Sequence, residues 1–191
     1  MKRFFALLAL LSLTAVGSSL RAVENPAERN PAAQPVSAGN FFTADAIDWK
    51  RLLPPPPVPG SVAALGDVET VLRVQAGRTP ADIAWAKLTE RDQVFTDYAE
   101  VLGPWFEERN LPVLADFLRR VTADAQAASS RMKSLYVRSR PPALEPTVQP
   151  CVDIPSTNSY PSGHSLRAFV WAAVLGDVFT DRSVDLHACA P

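Results

Sequence analysis

The sequence predicts an all-α fold, on three observations. Apolar residues recur at three- and four-residue spacing over several long stretches. No stretch alternates polar and apolar residues as a half-buried strand would. The composition, 47% hydrophobic and 20% charged, is that of a globular protein. With 191 residues the chain is long enough for one domain with a real core.

The elements follow in chain order. Met1-Lys2-Arg3 is a basic start, Phe4 to Val16 an apolar run, and Gly17, Ser18, Ser19 and Ala22 supply small residues behind it. This is the layout of a secretory signal peptide over residues 1–22, and the run falls short of the ~20 apolar residues a membrane anchor needs. It implies a periplasmic or secreted location. No later segment is long and apolar enough to span a bilayer, so a soluble, not membrane-embedded, mature protein is expected. Residues 23–40 are rich in Ala, Pro, Asn and Glu, and the stretch 23–51 is expected as a mobile leader before a domain at 52–191. Pro54 to Pro57 favour polyproline II, a rigid strap over the surface.

Helices come next. Leu65, Val68, Val71, Leu72 and Gln75 keep amphipathic spacing. Thr79-Pro80-Ala81-Asp82 reads as an N-cap, a first-turn proline and a capping-box acid. The helix it opens should carry Ile83, Ala86, Leu88, Phe95, Tyr98, Ala99 and Leu102 and stop at Gly103-Pro104. Another should start near Asn110 with Leu114, Phe117, Leu118, Val121, Ala125, Ala128 and Met132 on one stripe. The last should run from about Ser165 with Ala168, Trp171, Ala172, Leu175, Val178 and Phe179 in phase, a phase that the tail DRSVDLHACAP loses.

Charge and cysteines bound the function. A net charge of −1 argues against a dedicated nucleic-acid binder. Cys151 and Cys189 allow at most one intramolecular bridge in an oxidising compartment, or stand as two unrelated thiols. Two cysteines and two histidines at these separations do not make a zinc site, so no metal is expected.

Chemistry concentrates between Arg131 and Arg167, where five Lys/Arg face two acids. Lys133 and Arg140 are seven residues apart, so a helix ended by Pro141 would show both on one face. A proline-rich loop then leads to Ser162-Gly163-His164 at a helix start. Free N–H groups there attract anions, and glycine permits close approach. A guanidinium, an ammonium, a hydroxyl, backbone amides and an imidazole make a suitable phosphate cradle.

At these residues the chain resembles the PAP2 phosphatase and vanadium haloperoxidase superfamily. KSLYVRSRP, Lys133 to Pro141, matches its Lys-x6-Arg-Pro motif, and YPSGHS, Tyr160 to Ser165, matches Pro-Ser-Gly-His. LLPPPPVPGS, Leu52 to Ser61, looks like the start of the bacterial class A non-specific acid phosphatases, which are secreted. The resemblance runs from about Leu52 to about Phe179 and implies a helical bundle. It implies that Lys133, Arg140, Ser162 and the Gly163 amide bind phosphate and that His164 is the general acid. Phosphomonoesters would be hydrolysed through a phosphohistidine, with no cofactor. A homo-oligomer is compatible with it. A haloperoxidase relative and a membrane lipid phosphatase fit less well, given the polyproline start and the lack of membrane spans.

One departure stands out. The family's third motif, Ser-Arg-x5-His-x3-Asp, carries the nucleophilic histidine, and these 191 residues do not contain it. His187 lacks both the arginine before it and the aspartate after it. A truncated or frame-shifted form, incomplete at the C-terminus, is therefore expected. Its alternative function is that of a non-catalytic phosphate-binding remnant. The apolar stripes Leu114–Met132 and Ala168–Phe179 would then lack cover.

Overall fold

The computed structural model describes residues 39–190, and all regular structure among them is helical, with no strand. The expected signal peptide and the leader up to residue 38 lie outside the described residues.

A short helix, α1 (Trp49–Leu52), precedes the polyproline stretch, which is not helical. Helix α2 (Val62–Gly77) begins at Ser61, whose side chain accepts from the Ala64 N–H. Helix α3 (Pro80–Thr89) opens on the Thr79/Asp82 capping box that the sequence signals, with both reciprocal hydrogen bonds made. The expected single helix through Leu102 is instead three pieces: α3, α4 (Val94–Asp97) and α5 (Ala99–Leu102). The break falls at Asp92, whose φ of 52° is left-handed, a conformation that aspartate tolerates better than most residues. Gly103, at φ 90°, ends α5 as expected.

Helix α6 (Pro112–Lys133) buries Ala115, Leu118, Val121, Asp124, Ala125, Ala128, Ser129 and Met132 on one stripe. It ends at Lys133, so the helix expected to run on to Arg140 does not form. Tyr136 to Arg140 is extended instead, because Pro141 disfavours the helical region at Arg140 (φ −78°, ψ 152°) and the segment pairs with the 157–159 loop. A single turn, α7 (Pro141–Leu144), follows. Helix α8 (Gly163–Val178) starts two residues earlier than its apolar phase suggests, and α9 (Ser183–Cys189) closes the described chain.

The core is Tyr98, Leu102, Phe106, Leu118, Trp171, Ala172, Leu175 and Leu186. It sits where α6, α8 and α9 meet below α5. Burying each large apolar side chain stabilises by about 1.5–3 kcal/mol. Polar atoms entering it are paired: the Tyr98 hydroxyl donates to the Ala168 carbonyl at 2.7 Å, and the Trp171 indole donates to Thr122 Oγ1 at 2.8 Å. Two expectations are corrected here. The α6 and α8 stripes cover each other, and the tail, although out of phase with α8, makes its own helix and buries Leu186 completely. Helix α2, by contrast, forms as expected but has no fully buried residue.

Residues 39–51 belong to the expected leader. In this part the Asp124 carboxylate accepts from the backbone N–H of Asn40 (2.8 Å) and of Phe41 (2.7 Å). Burial would raise the Asp124 carboxyl, but these donors outweigh it and hold the group below the usual carboxylate range.

Candidate active site

The residues singled out in the sequence come together at one end of α6 and α8. Lys133, the last residue of α6, extends its ammonium to the carbonyls of Asn158 (2.7 Å) and Pro161 (2.6 Å). The Asn158 side chain returns a hydrogen bond to the Lys133 carbonyl at 3.2 Å. The ammonium thus ties the loop to the helix and keeps one of its three donors free. Burial, and then the positive charges of Arg140 and Arg167, push Lys133 down to about 8.

Arg140 reaches the same loop from the extended segment. Its Nε donates to the Thr157 carbonyl at 2.9 Å and Nη2 to the Thr157 hydroxyl at 3.2 Å. The Ser159 N–H donates to the Arg138 carbonyl at 3.0 Å, and its hydroxyl to the Ser139 carbonyl at 2.9 Å, which fixes the approach. Burial lowers Arg140 from its ordinary value.

Ser162 caps α8, its hydroxyl accepting from the Ser165 N–H at 3.2 Å and from the Ser165 hydroxyl at 3.1 Å. Gly163 is buried, and a Cβ there would stand 3.0 Å from Ser129 Oγ and 3.3 Å from Arg167 Nη1, so only glycine fits without displacement. His164 follows, with its side chain 46% exposed. Its Nε2 lies 3.2 Å from the Glu90 carbonyl and 3.3 Å from the Asp92 carboxylate, at the break between α3 and α4.

Two residues here were not identified by sequence reasoning. Arg167 is almost fully buried beneath the α8 start, bonded to Asp92 and, at 2.6 Å, to Gln126 Oε1. Asp92 therefore holds Arg167 and faces His164 with the same oxygen. Arg167 did carry a signal: it stands three residues after His164, on the same helical side, where the apolar phase is interrupted. Asp92 carried none, being 75 positions away from Arg167 in the chain. Nearby, burial and then the charge of Asp92 push Asp97 up to about 6, and Asp97 Oδ1 has no hydrogen-bond partner.

The other residues stand apart. His187 bonds through Nδ1 to the Ser183 carbonyl at 2.7 Å and lies against Gly176. Gly176 is about 20 Å along α8 from Gly163 at 1.5 Å per residue. Cys151 and Cys189 are both free thiols. Among the described residues no three His, Cys, Asp or Glu gather to hold a metal ion, and no helix is long and apolar enough to cross a membrane.

The geometry gathers a half-buried lysine, an arginine and the amide end of a long helix, with an imidazole at the edge. Such a set binds oxyanions and can deliver a proton beside them. No family model matches the chain. A non-specific acid phosphatase from Providencia stuartii is 29% identical over 150 residues, covering 71% of this chain and 58% of that protein. An acid phosphatase from Zymomonas mobilis subsp. mobilis is 26% identical over 195 residues, covering 96% of this chain and 70% of that protein. The chain thus spans less than two thirds of the Providencia protein's length. The two likenesses support a phosphatase family.

Proposed function

We propose that the chain carries the phosphate grip and the leaving-group acid of an exported acid phosphatase acting on phosphomonoesters. The observation that supports this best is the convergence of Lys133 and Arg140 on the loop that opens α8 at Ser162-Gly163-His164. Two similar proteins bear the name acid phosphatase. The basic start and apolar run at residues 1–22 support export.

In this reading the free donors of Lys133 and Arg140 take the phosphate oxygens, and the Gly163 and His164 amides complete the cradle. Charge that builds on the transferring phosphoryl group meets fixed donors in a partly dry site. His164 presents Nε2 to Glu90 and Asp92, so Nδ1 is the ring nitrogen left to protonate the departing alcohol as the P–O bond breaks. Asp92 is a positioning residue, orienting the ring as a carboxylate does in other acid–base pairs. The phosphoryl acceptor of the resembling superfamily is a histidine of its third motif, with no metal or cofactor in the reaction.

The position of His187, on α9 beside the far end of α8 at Gly176, favours a second reading: phosphate binding without turnover. Titration with inorganic phosphate, followed by calorimetry, tests the part common to both. Binding that is lost in Lys133→Ala and in Arg140→Ala supports the cradle, and binding unaltered by either overturns it. Hydrolysis of nitrophenyl phosphate near pH 6 separates the readings, since turnover requires a nucleophile within reach of the bound phosphate.

A further inference from the structure

A cleft of about 530 Å³ opens beside the cradle, with Arg140 and His164 on its rim. One wall is α2 and α3, presenting Val71, Val74, Ile83 and Ala86. Val148, Val152 and Ile154 form the facing wall.

Three of the polar side chains that line this cleft, Gln75, Arg78 and Asp82, are already engaged; those of Thr70, Glu90, Gln149 and Asp153 also line it. Gln75 donates to the Thr147 carbonyl at 3.0 Å and accepts from the Gln149 N–H at 2.6 Å. Arg78 donates to the Gln149 carbonyl at 2.7 Å. Asp82 accepts from the Thr79 N–H at 2.7 Å in the capping box. These groups hold the walls to each other and to themselves. The lining is mostly carbon, from the apolar side chains of the two walls, next to Arg140 and His164.

We infer that this cleft receives the alcohol half of the substrate and selects apolar phosphomonoesters, those with aryl or branched alkyl leaving groups, over sugar and nucleoside phosphates. The inference rests on the phosphate cradle of the preceding reading. A leaving group bonded to phosphate at Arg140 has its bridging oxygen at His164 and its carbon skeleton in the cleft. Apolar rings bury carbon there, whereas a polyol gives up water over walls that are mostly carbon, with only Thr70, Glu90, Gln149 and Asp153 to replace it. Selectivity of this kind comes from desolvation at the walls and not from hydrogen-bond readout.

The test compares inorganic phosphate, benzylphosphonate and ribose 5-phosphate, by calorimetry on the whole chain. Benzylphosphonate should bind about tenfold or more tightly than phosphate, and ribose 5-phosphate no more tightly than phosphate. Ile83→Gln and Val74→Gln, both neutral, should each remove much of the benzyl advantage and leave phosphate affinity within about twofold. Val74 is largely exposed, so its variant keeps the fold even where Ile83→Gln does not. Benzylphosphonate should also shield Cys151, which lines the cleft, from a thiol reagent, with Cys189 as the unshielded control.

Phosphate bound through Arg140 with no benzyl advantage overturns the inference and leaves the cradle standing. Loss of both ligands overturns the two together. Benzylphosphonate binding that is indifferent to Arg140→Ala, or a dimer that Val74→Gln dissociates, also overturns it. The first outcome makes the cleft an unconnected apolar site and the second an interface between copies.

Discussion

Helices α6 and α8 and helices α2 and α3 are built by opposite means. Helix α6 buries eight residues, and α8 buries Trp171, Ala172 and Leu175 almost completely. Neither α2 nor α3 has a buried residue, and Val62, Leu65, Val74 and Trp85 stand at least half exposed. The first pair is held by carbon, the second by polar contacts of Gln75 and Arg78 and by the Asp67–Arg138 ion pair. A hydrogen bond contributes about 0.5–1.5 kcal/mol net, less than one buried aromatic side chain. Lys133, Ser162, Gly163 and His164 all belong to the buried pair or to the loop tied to it. The cleft wall belongs to the exposed pair. The proposed phosphate site is thus anchored on the half that buries carbon and only flanked by the exposed one.

The largest expected effect breaks the contrast directly. Trp171→Ala should destabilise the fold by about 3–5 kcal/mol, while Val74→Ala should stay within about 0.5 kcal/mol. Chemical denaturation of both variants measures this. Comparable losses would mean that α2 is as integral to the fold as α8.

Asp92 joins the two halves, since it leaves the end of α3 and grips Arg167 of α8. Asp92→Ala leaves a buried guanidinium without its carboxylate and should remove about 3 kcal/mol. It should also free the His164 ring, which NMR of the histidine side chains would read as altered ring shifts. An unchanged melt and unchanged shifts would show that the halves are not coupled there.

The smallest effect sharpens the description of the buried half. Lys133 sits at about 8, below its ordinary 10.5, so protonating it opposes folding. That penalty is absent above about 10.5 and fully present below about 8. Phosphate affinity runs the other way: it is greatest below about 8 and falls as pH rises through that value and the ammonium is lost. Inorganic phosphate is still gaining its second charge at the lower end of this range, so sulfate, a dianion throughout, is titrated beside it and the fall for sulfate reports the protein. Calorimetry from pH 7.5 to 9.5 should show it, and Lys133→Met should abolish it.

Much of this arrangement was legible in the sequence. The Thr79/Asp82 box, the α6 stripe and the α8 stripe each have a local cause that survives into the fold. The seven-residue spacing of Lys133 and Arg140 was legible as a pair but not as a shape. A helix and an extended strap both bring them to one loop, and Pro141 decided for the strap. The break at Asp92 could not be read, because a left-handed aspartate leaves no mark in periodicity. Arg167 was visible only as a member of a basic cluster. Its role depends on a partner from the other half of the domain. Leu186 was hidden for a similar reason: it joins the core through α9, a helix too short to show a period of its own.

The fastening of α2 has a further consequence. A carbonyl released by Gln75 or Arg78 is met at once by solvent, and the one buried side chain of residues 147–149 is Val148. Amide protons along α2 should accordingly exchange through small, frequent openings, while those of α8 wait for the whole fold to unravel. The cleft beside the cradle then has a bank, α2 and α3, that drifts relative to the buried pair. Under the proposed function, leaving groups of differing girth would meet the same grip on phosphorus, with a flank that yields to their size.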